Sequence, residues 1–345
     1  MQLETFDDVL RSIEKNPRRP FHLLVGNGFS IAYDPKIFSY NALYSFIEDL
    51  EDADLTAVLS VVETKNFEVL MQYLDNFSAL VGAFGGQADL KQRVDAASAK
   101  LKSALLDAVK ALHPEHVFTI PEEQSRACAA FLKIFLDSRG NIFSTNYDLL
   151  LYWVLMRNSA VLSHVDGCGR ELENPDEAKK GEDQEWSDLY WGKNRSEQNI
   201  FYLHGALPFF DDGVSIVKEE YDAYNYLLQK IGARMNGGEY PIFVAAGDGH
   251  QKLTHIMHNR YLTYCYERLC EASGSLVIFG FRFGDQDFHI IEAINRAARR
   301  KKEDRLWSIY IGVHSEEDKD RIEEIAHMFS CKLHIYDSKT AKVWG

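Results

Sequence analysis

Short, nearly all-apolar runs alternate with amphipathic stretches along most of the chain. The apolar runs lie at residues 21–25, 142–145, 199–203, 241–246, 275–279, 306–313 and 332–336. Such runs are typical of strands buried on both faces of a parallel sheet. Helical spacing of apolar positions is found between them, at residues 5–15, 219–232, 252–272, 287–300 and 316–328. This alternation predicts an α/β protein with a Rossmann-like, doubly wound parallel sheet.

The region between the first two core strands has a different pattern. Residues 41–51, 67–81, 90–112 and 122–136 all show helical spacing, and no strand pattern interrupts them. We therefore predict a helical insertion lobe over residues 40–138, with residues 1–39 and 139–345 forming the α/β core. Residues 166–198 are polar and poorly periodic, which indicates an excursion over the surface.

Four of the apolar runs stop abruptly at polar or glycine-rich residues. In an open α/β sheet, ligands bind at the edge where the carboxyl ends of the strands lie. If the four runs are parallel strands, their breaks meet at that edge and form one nucleotide site. The breaks are Gly26-Asn27-Gly28-Phe29-Ser30, Thr145-Asn146-Tyr147-Asp148, Leu203-His204-Gly205 and Gly280-Phe281-Arg282-Phe283-Gly284-Asp285.

Each break also has a structural explanation. Gly26 and Gly28 suit a phosphate loop before a helix or simply a tight turn. Ile31 occupies the third glycine position of the dinucleotide fingerprint, and no acidic residue ends a second strand about twenty residues later, which argues against an ordinary dehydrogenase. Asn146 or Asp148 suits a helix N-cap, and so does Asp285 or Asp287. An isolated His204 can equally be a core histidine.

The composition restricts the class of partner. The chain has 345 residues and a formal charge of −14, which argues against bulk electrostatic binding to nucleic acid or to an anionic membrane. Its acidic start lacks the pattern of a signal peptide, and no apolar run is as long as a membrane span. Five cysteines without tight pairing fit a reducing compartment. We expect a cytoplasmic protein.

The four breaks, in this order, resemble those of the sirtuin-related superfamily. They are most similar to the sirtuin-like NAD hydrolases of bacterial anti-phage defence. The zinc-containing deacetylases fit less well, because no Cys-x-x-Cys pair follows His204. In addition, Ile31-Ala32-Tyr33-Asp34-Pro35 replaces the deacetylase stretch that holds the nicotinamide amide. Peptide deacylation is therefore not expected, and we predict no metal site.

The resemblance implies hydrolysis of NAD to ADP-ribose and nicotinamide, with NAD as substrate and no separate cofactor. Asn146 would orient water and ribose hydroxyls, His204 would be the base, and Asp148 would act electrostatically. The implied NAD-binding residues divide between a pyrophosphate and ribose end and an adenosine end. Gly26, Gly28 and Ser30 belong to the first, and Gly280, Phe281, Gly284 and Asp285 to the second. Asn27, Phe29 and Thr145 are further implied NAD-binding residues.

The family also implies a setting. Its members deplete NAD during phage infection, in a homo-oligomer or with a partner protein of the defence system. Two alternatives stay open: a non-catalytic module that binds NAD or an ADP-ribose-like signal, and an enzyme that processes another nucleoside. Lys252 and Arg260 are candidates to reach a phosphate, and a solvated helix face is the alternative explanation for both.

Overall fold

The structure is a computed structural model that describes residues 3–35, 52–62, 67–85, 88–172, 186–222, 224–244, 249–301 and 303–345. The predicted helix at residues 41–51 lies outside these ranges. Within them, no helix is both long enough and apolar enough to cross a bilayer.

Seven strands form one parallel sheet, which confirms the predicted fold class. The strands are β1 Leu3–Glu4, β2 Phe21–Val25, β3 Ile142–Ser144, β6 Ile200–Tyr202, β10 Gly274–Phe279, β11 Leu306–Val313 and β12 Lys332–Asp337. They pair in the order β1-β12-β11-β10-β2-β3-β6, and every neighbouring pair is parallel. The central strands β10, β2 and β3 are almost completely buried, as their continuous apolar sequences require.

Helices flank this sheet, giving a Rossmann-like architecture. Aromatic contacts fix one of them: Phe131 and Phe135 pack on Phe279 and Phe21, with ring centroids 5.9 Å and 5.6 Å apart. The helices outside the predicted lobe are Phe6–Glu14, Gly28–Tyr33, Leu150–Arg157, Leu227–Asn236, Gly249–His258, Arg260–Cys270, Phe288–Ala298 and Glu316–Ile325.

Within residues 40–138, every regular element that the structure describes is helical. The helices are Ala53–Val62, Phe67–Ala83, Ala88–Leu112 and Glu122–Asp137, with a short 3₁₀ turn at Val117–Thr119. Helix Glu122–Asp137 carries Phe131 and Phe135 and so covers the parallel sheet. The division into a core and a lobe at residues 39 and 139 stays a prediction.

A second sheet of five antiparallel strands corrects part of the sequence prediction. The strands are β4 Cys168–Gly169, β5 Tyr190–Trp191, β7 Gly205–Asp211, β8 Ile216–Lys218 and β9 Pro241–Phe243. Their order in the sheet is β4-β5-β8-β7-β9. The sequence predicts that the run at residues 241–246 continues the parallel alternation, but its strand pairs antiparallel with β7. A short apolar run signals burial on both faces and does not reveal strand direction.

Two neighbouring segments also differ from expectation. The predicted surface excursion at residues 166–198 contributes β4 and β5, and Trp191 is buried. The helix predicted from residue 219 begins only at Leu227. The carboxylate of Asp222 accepts hydrogen bonds from the backbone N–H groups of Tyr224 and Asn225, at 2.8 Å each. Such local bonds favour a turn over a helix.

Candidate active site

A cavity of about 810 Å³ lies at the carboxyl edge of the parallel sheet. It opens where β2, β3, β10 and β11 end, and the chain after β12 forms part of its wall. This is the edge at which open α/β sheets bind ligands. The volume falls within the range of small-molecule and cofactor sites.

The glycines of two breaks allow their backbones to touch. The N–H of Gly28 donates a 2.8 Å hydrogen bond to the carbonyl of Gly280. A Cβ on Gly28 would lie 2.5 Å from the Cα of Gly280, and a Cβ on Gly280 would lie 2.6 Å from the backbone of Gly28. Gly280 also has a positive φ of 67°. These glycines therefore have a structural role, and phosphate binding by the loop stays a prediction.

We expect Gly280→Ala to destabilise the fold by more than 2 kcal/mol, roughly the left-handed strain alone, because the new methyl group also overlaps backbone. Gly213→Ala is the matched control. Gly213 has φ 85° but nothing within 4 Å of its added Cβ. It should lose only about 1–2 kcal/mol. Urea unfolding of both variants measures the difference, and equal losses would contradict the close approach of the two loops.

Asn146 connects β3 to the glycine loop. Its side-chain amide donates hydrogen bonds of 3.0 Å to the Gly26 carbonyl and 3.0 Å to Ser30 Oγ. Both amide hydrogens are thereby used, while Asn146 also lines the cavity. The amide makes no helix-capping bond, so the N-cap explanation does not apply to Asn146. Its Oδ1 is the atom left to accept a hydrogen bond from a ligand or water.

Asp148 completes this network from behind. The Ser30 hydroxyl donates to its carboxylate, and the backbone N–H of Leu150 donates to Oδ1 at 2.9 Å. Asp148 thus accepts an N–H at the start of helix Leu150–Arg157, but the N-cap residue is Leu149 and not Asp148 as the capping explanation predicted. Burial raises the pKa of Asp148, and the hydrogen bonds from Ser30 and Leu150 oppose that shift. The three side chains form one buried unit that fixes the Asn146 amide.

His204 follows β6 and pairs with a histidine that the sequence did not suggest. Its ring stacks on His289, with centroids 5.0 Å apart, and the two Nε2 atoms are hydrogen-bonded at 2.8 Å. One Nε2 must therefore carry a proton and the other a lone pair. The Nδ1 atoms of both rings are buried and make no hydrogen bond of good geometry to a described residue.

Burial keeps both imidazoles neutral. It lowers the pKa of His204 well below the ordinary value, and the nearby His289 and Lys252 lower it further. The pKa of His289 is lowered to about 3 by burial and by Lys252. Lys252 is itself buried and pairs with Asp287, Nζ to Oδ1 at 3.0 Å. The second oxygen of Asp287 accepts the N–H of Gly284 at 3.1 Å.

The histidine pair should make the fold sensitive to acid. Unfolded imidazoles take up protons below about pH 6.5, whereas His289 stays neutral in the native state until about pH 3. Stability is therefore lost as the pH falls below 6.5, by about 1.4 kcal/mol per pH unit for each such histidine. Urea unfolding between pH 7 and pH 5 should show a shallower loss in His289→Phe than in the wild type. An unchanged slope, matching that of the control His258→Phe at an exposed position, would refute the assignment.

The C-terminal segment closes one side of the cavity. The Trp344 indole N–H donates to the Phe29 carbonyl at 2.9 Å, and its ring packs against Phe29 and Tyr33. Lys339 and Lys342 line the cavity, and neither forms an ion pair with a carboxylate in the described part of the chain. No motif in the sequence predicts this contribution. In the sequence, only the two lysines close to Trp344 indicate that this segment contributes to the site.

The structure brings most predicted site residues to the cavity. Gly26 and Ser30 lie behind the wall and hold Asn146, whereas Phe29 is fully buried. The Asp285 side chain is 93% exposed and pairs with Arg321, outside the cavity. Arg260 also lies elsewhere, bonded to the Val214 carbonyl. The predicted residues that line the cavity are Asn27, Gly28, Thr145, Asn146, Asp148, His204, Gly280, Phe281 and Gly284.

A family model described as a domain of unknown function (DUF4917) matches residues 23–344, which include all of the second sheet, most of the parallel sheet and nearly all of the residues that line the cavity. A search of the curated proteins finds no match.

Proposed function

The chain belongs to the DUF4917 family, and from its site we propose that it is an NAD hydrolase that cleaves the nicotinamide–ribose bond. The observation that carries this proposal is the convergence of Asn146 and His204 on one cavity at the carboxyl edge of the sheet. The resemblance of the four breaks, two of which contain these residues, to sirtuin-like NAD hydrolases also supports it.

The charged side chains that line the cavity suit a dinucleotide. Lys339 and Lys342 line it and complement a pyrophosphate, whereas Arg282 lines it but pairs with Glu317 and Asp318. The Gly28 loop, at the start of helix Gly28–Tyr33, lies at the same cavity. Asp148 and Asp287 also line the cavity, where Asp287 is paired with Lys252 and the carboxylate of Asp148 accepts hydrogen bonds from Ser30 and Leu150.

The reaction needs little acid catalysis. Breaking the glycosidic bond releases neutral nicotinamide and leaves an oxocarbenium-like ribose, as in glycoside cleavage. The oxygen of a water molecule then bonds to the anomeric carbon and loses a proton. The products are ADP-ribose, nicotinamide and one proton. A positioned acceptor for water and a base are the groups that speed these steps.

Asn146 and His204 supply these two groups. Asn146 Oδ1 accepts a hydrogen bond from the water or from a ribose hydroxyl, while its amide hydrogens are held by Gly26 and Ser30. His204 accepts the proton at Nδ1 when its Nε2–H donates to His289. A neutral imidazole offers that lone pair only in the tautomer with the proton on Nε2, and a backbone hydrogen bond to Thr145 partly opposes the lowering of the pKa of His204.

The competing function is a non-catalytic sensor of NAD or of an ADP-ribose-like nucleotide. The glycine loops and the lysines of the cavity serve both functions equally. A buried histidine with an unbonded Nδ1 favours catalysis, because binding alone gains nothing from an unsatisfied polar atom.

The decisive experiment incubates the purified protein with NAD and, in parallel, with NADP, and measures released nicotinamide. The enzyme proposal requires release from at least one of them. Binding of NAD without release, even with candidate activators, would favour the sensor.

We further propose a role in anti-phage defence in the bacterial cytoplasm, in a homo-oligomer or with a partner protein. Measuring the molecular size of the protein in solution, with and without NAD, tests whether it is an oligomer.

A further inference from the structure

A second cavity, of about 520 Å³, lies at the opposite edge of the parallel sheet. Ser275 of β10, Trp307 and Ser308 of β11, and Lys332 of β12 line it at the amino ends of their strands. The six-residue β10 spans about 20 Å, so this cavity is separate from the carboxyl-edge cavity. Nothing in the proposed NAD chemistry uses it.

The second cavity is strongly basic. Lys15, Arg19, Arg305 and Lys332 line it, together with His334, and no carboxylate is among its lining residues in the described part of the chain. This is unusual in a protein with 52 acidic and 38 basic residues. His334 pairs with Glu4, but none of the four Lys and Arg side chains forms an ion pair with a described carboxylate. Their mutual repulsion is therefore uncompensated by the protein.

Arg305 adds an observation that points to a ligand. Its guanidinium lies 3.6 Å from the centre of the Trp307 ring, and that of Arg19 lies 4.4 Å from the same ring. The Trp307 ring thereby holds two guanidinium groups at one cavity. The Nε of Arg305 is buried and has no hydrogen-bond partner among the described residues. A buried, unsatisfied donor of a charged group is costly unless an acceptor satisfies it.

Local structure explains only part of this cluster. Lys15 follows helix Phe6–Glu14, where a cation suits the helix dipole. Arg19, Arg305 and Lys332 are not placed at a helix end. The hydroxyls of Ser275 and Ser308 are 3.0 Å apart and add polar groups to the same wall. The wall as a whole offers hydrogen-bond donors to an anion.

We propose that this amino-edge cavity binds a small molecule that carries two or more phosphate groups. Several cations within one cavity suit a multiply charged anion better than a single carboxylate. The volume suits a small ligand, and the overall charge of −14 disfavours a long polyanion such as nucleic acid. β10 and β11 run from this cavity to the loops that line the carboxyl-edge cavity.

Calorimetric titration with inorganic tripolyphosphate tests the proposal. Arg19→Gln is the first variant, because Arg19 is exposed and its replacement leaves the core intact. Arg305→Gln is the second and removes the buried donor. We expect each to weaken binding by about tenfold or more, since each loses a charge-assisted contact. Raising the salt concentration should weaken the binding of tripolyphosphate to the wild type, because salt screens the attraction between charges.

Lys342→Gln, in the carboxyl-edge cavity, is the matched control and separates this proposal from the proposed function. A binding step that Arg19→Gln and Arg305→Gln weaken, and that Lys342→Gln leaves within twofold, supports the amino-edge site, and an additional step that Lys342→Gln weakens belongs to the carboxyl-edge cavity. Two outcomes overturn it: absence of tripolyphosphate binding to the wild type, or binding that only Lys342→Gln weakens. Release of nicotinamide from NAD is independent of either result.

Discussion

Asn146→Ala is expected to reduce nicotinamide release from NAD by about 10²–10³-fold, the usual effect of removing one preorganised group that stabilises a transition state. Alanine removes Oδ1, the acceptor for water or a ribose hydroxyl. It also frees the Gly26 carbonyl and Ser30 Oγ, which the amide holds at 3.0 Å each. The variant should remain folded, because these lost bonds amount to only about 1–3 kcal/mol of stability. A single-turnover assay of nicotinamide release measures the effect.

Asn158→Ala is a closely matched control for that experiment. The Asn158 amide also donates to one serine hydroxyl and one backbone carbonyl, Ser125 Oγ at 3.0 Å and the Val154 carbonyl at 2.8 Å, away from the cavity. Both variants should lose similar stability in urea, but only Asn146→Ala should lose activity. Wild-type activity in Asn146→Ala would refute the assigned role. Equal activity loss in both variants would trace the defect to folding.

The parallel sheet and its functional edge could be predicted because one physical rule connects them. Parallel strands point their carboxyl ends the same way, so polar residues after β2, β3, β6 and β10 must converge. The rule therefore predicts that Asn146 and His204 lie at the same edge, although 57 residues lie between them in the sequence. The rule fixes the edge but not the direction of each side chain. For that reason Ser30 and Asp285, both predicted to bind NAD, lie respectively behind the cavity and outside it.

The parts that sequence reasoning missed depend on tertiary contacts. His289 lies in helix Phe288–Ala298, where an apolar face conceals a polar contact with another element. Lys252 was a candidate in the sequence, but the solvated-face explanation is wrong, because Lys252 is buried at the cavity and pairs with Asp287 of a distant segment. The segment at Lys339 and Lys342 follows the last strand and carries no periodic signal. Strand direction in the second sheet was similarly invisible, since burial does not distinguish β9 from a parallel strand.

The interlocked loops change the meaning of the glycine motif. Gly28 and Gly280 are in backbone contact, so their lack of side chains is already explained without a ligand. A glycine pair of this kind is therefore weak support for nucleotide binding by itself. The stronger support comes from a polar network that fixes Asn146 and from a histidine whose Nδ1 is left unbonded.

His204→Ala is expected to reduce nicotinamide release by about 10²–10⁴-fold, the range for loss of a positioned base. His289→Phe should produce a smaller loss of about tenfold, because it keeps a stacked ring but removes the Nε2 that holds His204, a bond of about 1.4 kcal/mol. Loss of the base lowers kcat, whereas a purely structural defect would lower stability alone. A graded effect in this order identifies His204 as the base and His289 as a positioning residue.

The control for the histidine pair is His22→Ala. His22 is also buried, its Nε2 lies 2.9 Å from the Ser273 carbonyl, its Nδ1 accepts from the Asn141 N–H, and it does not line the cavity. This variant should lose stability yet keep the wild-type kcat.

Because the pKa of His204 lies well below its ordinary value, the wild-type rate of nicotinamide release should stay level from pH 8 down to pH 6.5. A rate that falls with an apparent pKa near 6.5 over that range would show that the base is an ordinary, solvated histidine and would exclude His204.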